Sequence, residues 1–135
     1  MQQSNATYSL KNWDRRPWHV PSDKTTDLKL YRIELTYRYE GVIEGESTAQ
    51  YLMSQKGDKE VNFVALEKVA GSVDGKSGTF VFQRIGTSDH SGVIETVTLL
   101  RGSGTGDLTG LRGQITIEHT GHQETFPIRF EYQLE

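Results

Sequence analysis

Few side chains in this chain are placed to do acid–base or ligand chemistry, and the best of them sit on alternating runs. Glu67 interrupts an apolar series of Val61, Phe63, Ala65 and Val69 at every second position. His119 follows Ile115 and Ile117 with the same period. A carboxylate and an imidazole on the inner faces of two strands would share one cavity. Burial there raises a carboxyl's pKa toward neutrality, as a general acid–base pair requires. The competing reading puts Glu67 on a solvated face and His119 at a strand end beside Gly121. Val64 and Leu66 give Glu67's strand a second apolar face, which leaves its inward side open between the two sets.

Other groupings carry less chemistry. The chain has no cysteine, which removes disulfides, thiolate nucleophiles and Cys-based zinc sites together. His119 and His122 lack a chelating spacing, Glu118 faces the other way and Glu124 lies beyond the turn, so no metal is expected. Ser88-Asp89-His90 has the residue types of a hydrolase triad, but neighbours on a tight turn cannot line up nucleophile, base and orienting acid. Gly102-Ser-Gly104-Thr-Gly106 looks like a phosphate cradle, yet such a loop must open a helix, and Leu108 to Ile117 reads as turn and strand. No cofactor is expected. The aromatic residues say more. Tyr31, Tyr37 and Tyr39 share one strand face, and Phe126, Phe130 and Tyr132 another. Buried tyrosine hydroxyls need partners, which a ligand or water inside a barrel supplies, unless the core is filled and the hydroxyls reach the barrel ends.

The elements that would position these groups are all strands. From Lys29 to Glu40, Tyr31, Ile33, Leu35, Tyr37 and Tyr39 alternate with Arg32, Glu34, Thr36, Arg38 and Glu40, the period of a strand with one buried face. Phe126 to Leu134 repeats the pattern. Further runs near 7–14, 48–54, 61–73, 78–85, 93–100 and 114–119 bring the total to about eight. Gly41-Val-Ile-Glu-Gly45, Gly71-Ser-Val-Asp-Gly75 and Gly106-Asp-Leu-Thr-Gly110 each end one strand and open the next. Glycine permits the tight turn and the sharp strand bend that a curling meander needs. Closure removes the exposed edges of such a sheet, and about eight strands enclose an interior that side chains fill or that holds one small ligand. The expected fold is therefore all-β, one closed antiparallel barrel over residues 1–135.

Charged residues make up 24% of the 135 and the net charge is -3, without the basic excess that nucleic acid or an anionic membrane surface calls for. No run approaches the roughly 18 apolar residues of a membrane helix. The first ten residues have neither the basic nor the apolar region of a secretory signal, so a cytoplasmic location is expected. The segment Arg15–Asp27, with Trp18 and His19, reads as a long connection that either pins itself to the body or lines a binding mouth.

The glycine motifs also resemble those of an uncharacterised bacterial family, a domain of unknown function with a barrel like that of allene oxide cyclase and the calycins. The matching residues are Trp13 with Asp14 and Pro17, Tyr39-x-Gly41-x-x-x-Gly45, and Gly71-x-x-x-Gly75-x-Ser77-Gly78-x-Phe80-x-x-Gln83. Gly102-Ser-Gly104-Thr-Gly106-Asp-Leu-x-Gly110-Leu-Arg-Gly113 and Tyr132-x-Leu134 complete them. The resemblance implies the barrel and brings no activity with it.

Three functions fit these observations. The first is a barrel that binds a small hydrophobic molecule, with Glu67, His119, Tyr37, Tyr39, Gln83 and Trp13 as the candidate contacts. The second is a cofactor-independent isomerase or cyclase for a lipophilic substrate, using Glu67 and His119 as acid and base. The third is a solid barrel that serves as an interaction module. Val61–Leu66 and Phe80–Phe82 are apolar on both faces, and a barrel interior covers only one. The other face calls for the Arg15–Asp27 segment or a second subunit, and a homodimer through the outer face of the fourth and fifth strands is expected.

Overall fold

The computed structural model describes residues 2–17, 28–57, 60–89, 92–117 and 125–135. Eight strands follow one another along the chain: β1 (Gln2–Pro17), β2 (Leu28–Gly41), β3 (Ile43–Lys56), β4 (Glu60–Val73), β5 (Lys76–Asp89), β6 (Gly92–Leu99), β7 (Leu111–Ile117) and β8 (Thr125–Leu134). Each pairs antiparallel with the next, and β8 returns to β1 from Gln2↔Tyr132 to Ser9↔Thr125, closing the barrel. Period-two alternation sorts the side chains. Tyr37, Tyr39, Phe80, Phe82, Ile128, Phe130 and Tyr132 are buried inside, while their sequence neighbours face out. On β4 the inner face is Phe63, Ala65, Glu67 and Val69; Val64 and Leu66 are exposed.

The strands run further than hydrophobic alternation alone suggests. β1 extends from residue 2 to residue 17, so Arg15 to Pro17 are strand and not loop. Its polar second half does not alternate in hydrophobicity but is held to β2 through Pro17↔Tyr31 after a bulge between Leu10 and Asn12.

The two ends of the barrel are built differently. At one end Gly45, Gly71 and Gly78 stand side by side on β3, β4 and β5. A Cβ on Gly71 would run into the Glu44 carbonyl, and one on Gly78 into the Thr105 carbonyl. Their absence lets β3 and β4 approach closely and lets the segment after β6 lie along β5. There Leu100 N–H donates to the Val81 carbonyl (2.8 Å) and Thr105 N–H to the Thr79 carbonyl (2.9 Å). The segment ends in a 3-10 turn, Gly106–Leu108, whose fully buried Leu108 plugs this end. The glycine-rich stretch therefore leads into a plug and then strand β7, and no α-helix follows it. At the other end β1 parts from β8 beyond Ser9 and continues with β2 alone. The second half of β1 is there an edge strand on a sheet that stays paired through β2, β3, β4 and β5, and it forms a lip where the barrel is open between β1 and β8.

Candidate functional site

Between the plug and the lip, three strands, β4, β5 and β6, place charge inside the barrel. Glu67 on β4 is 0% exposed and Arg84 on β5 is 1% exposed. Small residues beside them make the room: Ala49 is the cross-strand neighbour of Glu67, Ala65 that of Arg84, and Gly45 that of Tyr39. Arg84 Nε donates to Glu67 Oε1 (2.7 Å), Nη1 to Glu95 Oε1 (2.7 Å) and Nη2 to the Tyr39 hydroxyl (2.9 Å). Glu67 Oε2 accepts from the Tyr39 hydroxyl at 2.6 Å and from the Ser47 hydroxyl. Tyr8 and Tyr37 lie against the guanidinium, their ring centroids 5.2 and 5.3 Å from Cζ. The Tyr37 and Tyr51 hydroxyls are 3.0 Å apart, within hydrogen-bond distance.

Such a cluster is tolerated in an interior because nearly every donor meets an acceptor, and ionised partners shorten and strengthen the bonds. Burial alone would pull the Arg84 guanidinium down, but Glu67, with Tyr51, Tyr39 and Glu95, holds it well above its ordinary pKa. The tyrosines move the same way for a different reason. Burial disfavours the phenolate, pushing Tyr8 up to about 12 and Tyr37, Tyr51 and Tyr39 higher still, with Glu67 adding its charge against Tyr39. Arg84 is therefore a fixed cation and these four phenols are fixed hydrogen-bonding groups across the ordinary pH range.

The sequence candidates divide between three places. Glu67, Tyr37 and Tyr39 come together in the cluster. Gln83 does not join them. It projects between the inward Phe82 and Arg84 to the outer face, because a strand sends consecutive side chains to opposite sides. Trp13 sits on the lip opposite Leu35, 57% exposed. His119 lies outside the described residues, as do Trp18, His19, His90 and His122. Sequence reasoning missed Arg84, Glu95, Ser47, Tyr51 and Tyr8. A signal for the first was present: Phe80, Phe82 and Arg84 alternate just as Ala65, Glu67 and Val69 do, so adjacent strands each carry one opposite charge on an apolar face.

The lip is the second part of the site. Cross-strand partners project to the same side, so Trp13 and Leu10 share the inner face with Leu35 and Tyr37. Leu10 is 46% exposed there, and half-buried Tyr31, Leu35, Met53, Val61, Val93, Ile117 and Phe126 pack around the core at the same end of their strands. Phe126 stacks on Tyr8 with centroids 5.0 Å apart. An apolar ring thus lies at this end of the barrel, beyond the buried polar groups Tyr37, Tyr51, Arg84 and Glu95. No group of three or more potential metal ligands occurs among the described residues.

Fold and interior together define a closed eight-stranded meander barrel, plugged at one end, with an ion cluster sealed in its wall. The chain belongs to the DUF3224 family, proteins of unknown function, whose model matches residues 4–132. It is similar to the crystal structure of a DUF3224 protein of unknown function from Shewanella oneidensis MR-1, with a TM-score of 0.78, 23% identity and 99% of each chain covered. Likeness at that identity speaks for the shared fold. No curated protein matches the chain. No helix among the described residues is long and apolar enough to cross a membrane.

Proposed function

We propose that the protein binds a small, flat hydrophobic molecule in the mouth of the barrel, between the lip and the floor formed by Tyr37 and Tyr51. The carrying observation is the exposure of large apolar side chains on an inner face, Trp13 and Leu10 above all. Apolar walls with a few convergent polar groups are the usual make-up of a small-molecule site. The indole gives a stacking surface, and the hydroxyl pair gives the ligand's polar end a partner.

A catalytic reading with Glu67 as base is less well supported. Both of its oxygens are taken by Arg84, Tyr39 and Ser47, and its burial leaves no oxygen facing a substrate. A base must lie within hydrogen-bond reach of the proton it removes.

The neutral lipophilic fluorophore N-phenyl-1-naphthylamine tests the binding reading. A Trp18→Phe protein leaves Trp13 as the only indole, and probe binding should quench its emission saturably. Trp13→Ala and Leu10→Lys should each weaken probe binding by about fivefold or more, roughly 1 kcal/mol for a lost aromatic contact. Ile85→Lys, on the outer wall, should leave it unchanged. Absence of saturable binding, or binding lost only in Ile85→Lys, overturns the proposal.

A further inference from the structure

We propose that the outer face of β3–β6 is the contact surface of a symmetric homodimer. The outward positions of residues 48–54, 62–66, 79–87 and 94–98 include no charged side chain, in a chain that is 24% charged. Within that area Leu52, Val64 and Ile85 stand in one row across β3, β4 and β5, each about half exposed. Leu66 lies beside the row, and Ile94 projects at 78% exposure. Interface centres differ from the rest of a protein's surface chiefly by this loss of charge. Contiguous apolar exposure on such a scale is uncommon on a soluble monomer.

Three features favour a second copy of this chain as the occupant. A two-fold axis brings a patch against itself, so a charged patch would set like against like, whereas a neutral one has no such penalty. Relief is self-complementary as well. A groove of about 480 Å³ runs along Leu52, Val64 and Ile85 and is bordered by the projecting Ile94, so a knob and a hole adjoin on one surface. The size also suits a dimer. The four strands β3 to β6 with the adjoining β2 rim, at ~4.8 Å spacing and taken over about seven residues at ~3.3 Å, give a face near 24 Å by 23 Å, or about 550 Å² in projection. With side-chain relief this reaches the lower end of stable interfaces, roughly 600 Å² per partner. Arg32, Glu34, Glu60, Lys68 and Asp89 border the area with both signs of charge, the polar rim that such an interface keeps.

Size-exclusion chromatography with light scattering tests this at micromolar concentration. Wild-type protein should have the mass of two chains. Val64→Lys and Ile85→Glu should each have the mass of one, with far-UV circular dichroism unchanged and a thermal midpoint equal to that of wild type diluted until it dissociates. Gln133→Glu, on the outer face of β8, should remain dimeric. A wild-type mass of one chain overturns the proposal, as do Val64→Lys and Ile85→Glu proteins that stay paired, or a Gln133→Glu protein that separates as readily. The two single-chain variants should still bind the naphthylamine probe, so failure here and failure of the mouth reading remain distinct.

Discussion

The two faces of strands β3–β6 invert the usual arrangement of a β-barrel. Their inner face carries Ser47, Glu67, Arg84 and Glu95, whereas the middle of their outer face, at residues 48–54, 62–66, 79–87 and 94–98, carries no charge. Polarity alone therefore does not decide which side of a strand is buried. Inside, each charge is placed where converging strands satisfy it: Arg84 meets two carboxylates and a hydroxyl, and Glu67 meets two hydroxyls and a guanidinium. Outside, Leu52, Val64, Leu66, Ile85 and Ile94 stay exposed. On the other wall Arg32, Glu34, Arg38, Glu40, Arg112, Arg129 and Glu131 face outward from β2, β7 and β8 in the ordinary way. The contrast separates a face completed by geometry within the chain from one that, on the dimer proposal, a second copy completes.

The sharpest way to break the comparison is to unbalance the inner face. Arg84→Met leaves Glu67 as a buried carboxylate without its cation. Removing one partner of a buried pair costs about 3–5 kcal/mol, which urea unfolding should read directly. Replacing both members by Glu67→Leu with Arg84→Met should recover much of that loss, because the uncompensated charge at Glu67 disappears with its partner. A single Arg84→Met protein as stable as wild type would mean that the cluster is not what fits the inner face together. A smaller loss follows from crowding the close approach that frames it. Gly71→Ala sets a methyl against the Glu44 carbonyl and should cost about 1–3 kcal/mol, whereas Gly75→Ala meets no neighbouring atom and is strained only by its φ of 82°.

Much of the barrel is legible in the sequence because period-two alternation and the glycine spacings are local. Tyr31 to Tyr39 announces β2, and Gly71 to Gly78 announces the β4–β5 hairpin. Strand length was less legible. The polar half of β1 is held by pairing with β2, and a register is a property of two segments. The site was half legible for the same reason. Glu67 stands out on its own strand, but its significance depends on Arg84 from β5, Tyr39 from β2 and Ser47 from β3, which only the closed sheet brings together. Gln83 and Arg84 are adjacent in sequence and opposite in fate, and the family motif that highlights Gln83 does not say which of them faces inward.

Alkaline pH probes the inner face with a smaller effect. Tyr8 holds its proton up to about 12 because burial disfavours the phenolate. The unfolded chain releases that proton near pH 10. A folded pKa above the unfolded one stabilises the fold fully below pH 10, and the contribution drains away as pH rises toward the folded value. Between pH 9 and pH 11 wild type should therefore lose about 1.4 kcal/mol more than Tyr8→Phe, one pKa unit being worth that much. Equal losses in the two proteins would place the Tyr8 ring in water. Phenolate absorbance offers a second reading, since the signals of Tyr8, Tyr37, Tyr39 and Tyr51 should appear with unfolding and not ahead of it.

The smallest expected effect is on the stability of the outer face, and its smallness is what makes it informative. Val64 is about half exposed on β4, with Leu52 and Ile85 as cross-strand neighbours. A lysine there can lay its methylenes over the same neighbours and keep its ammonium in water. At protein concentrations low enough to hold wild type monomeric, Val64→Lys should lie within about 0.5 kcal/mol of it, as surface substitutions usually do. At high concentration the wild type should gain stability from association and Val64→Lys should not, because only the associating protein has a midpoint that depends on concentration. Inner-face variants such as Glu67→Gln should lose stability equally at both concentrations. A Val64→Lys deficit that is already large in dilute solution would mean that this face is packed within the single chain, and the contrast between the two sides of β4 would disappear.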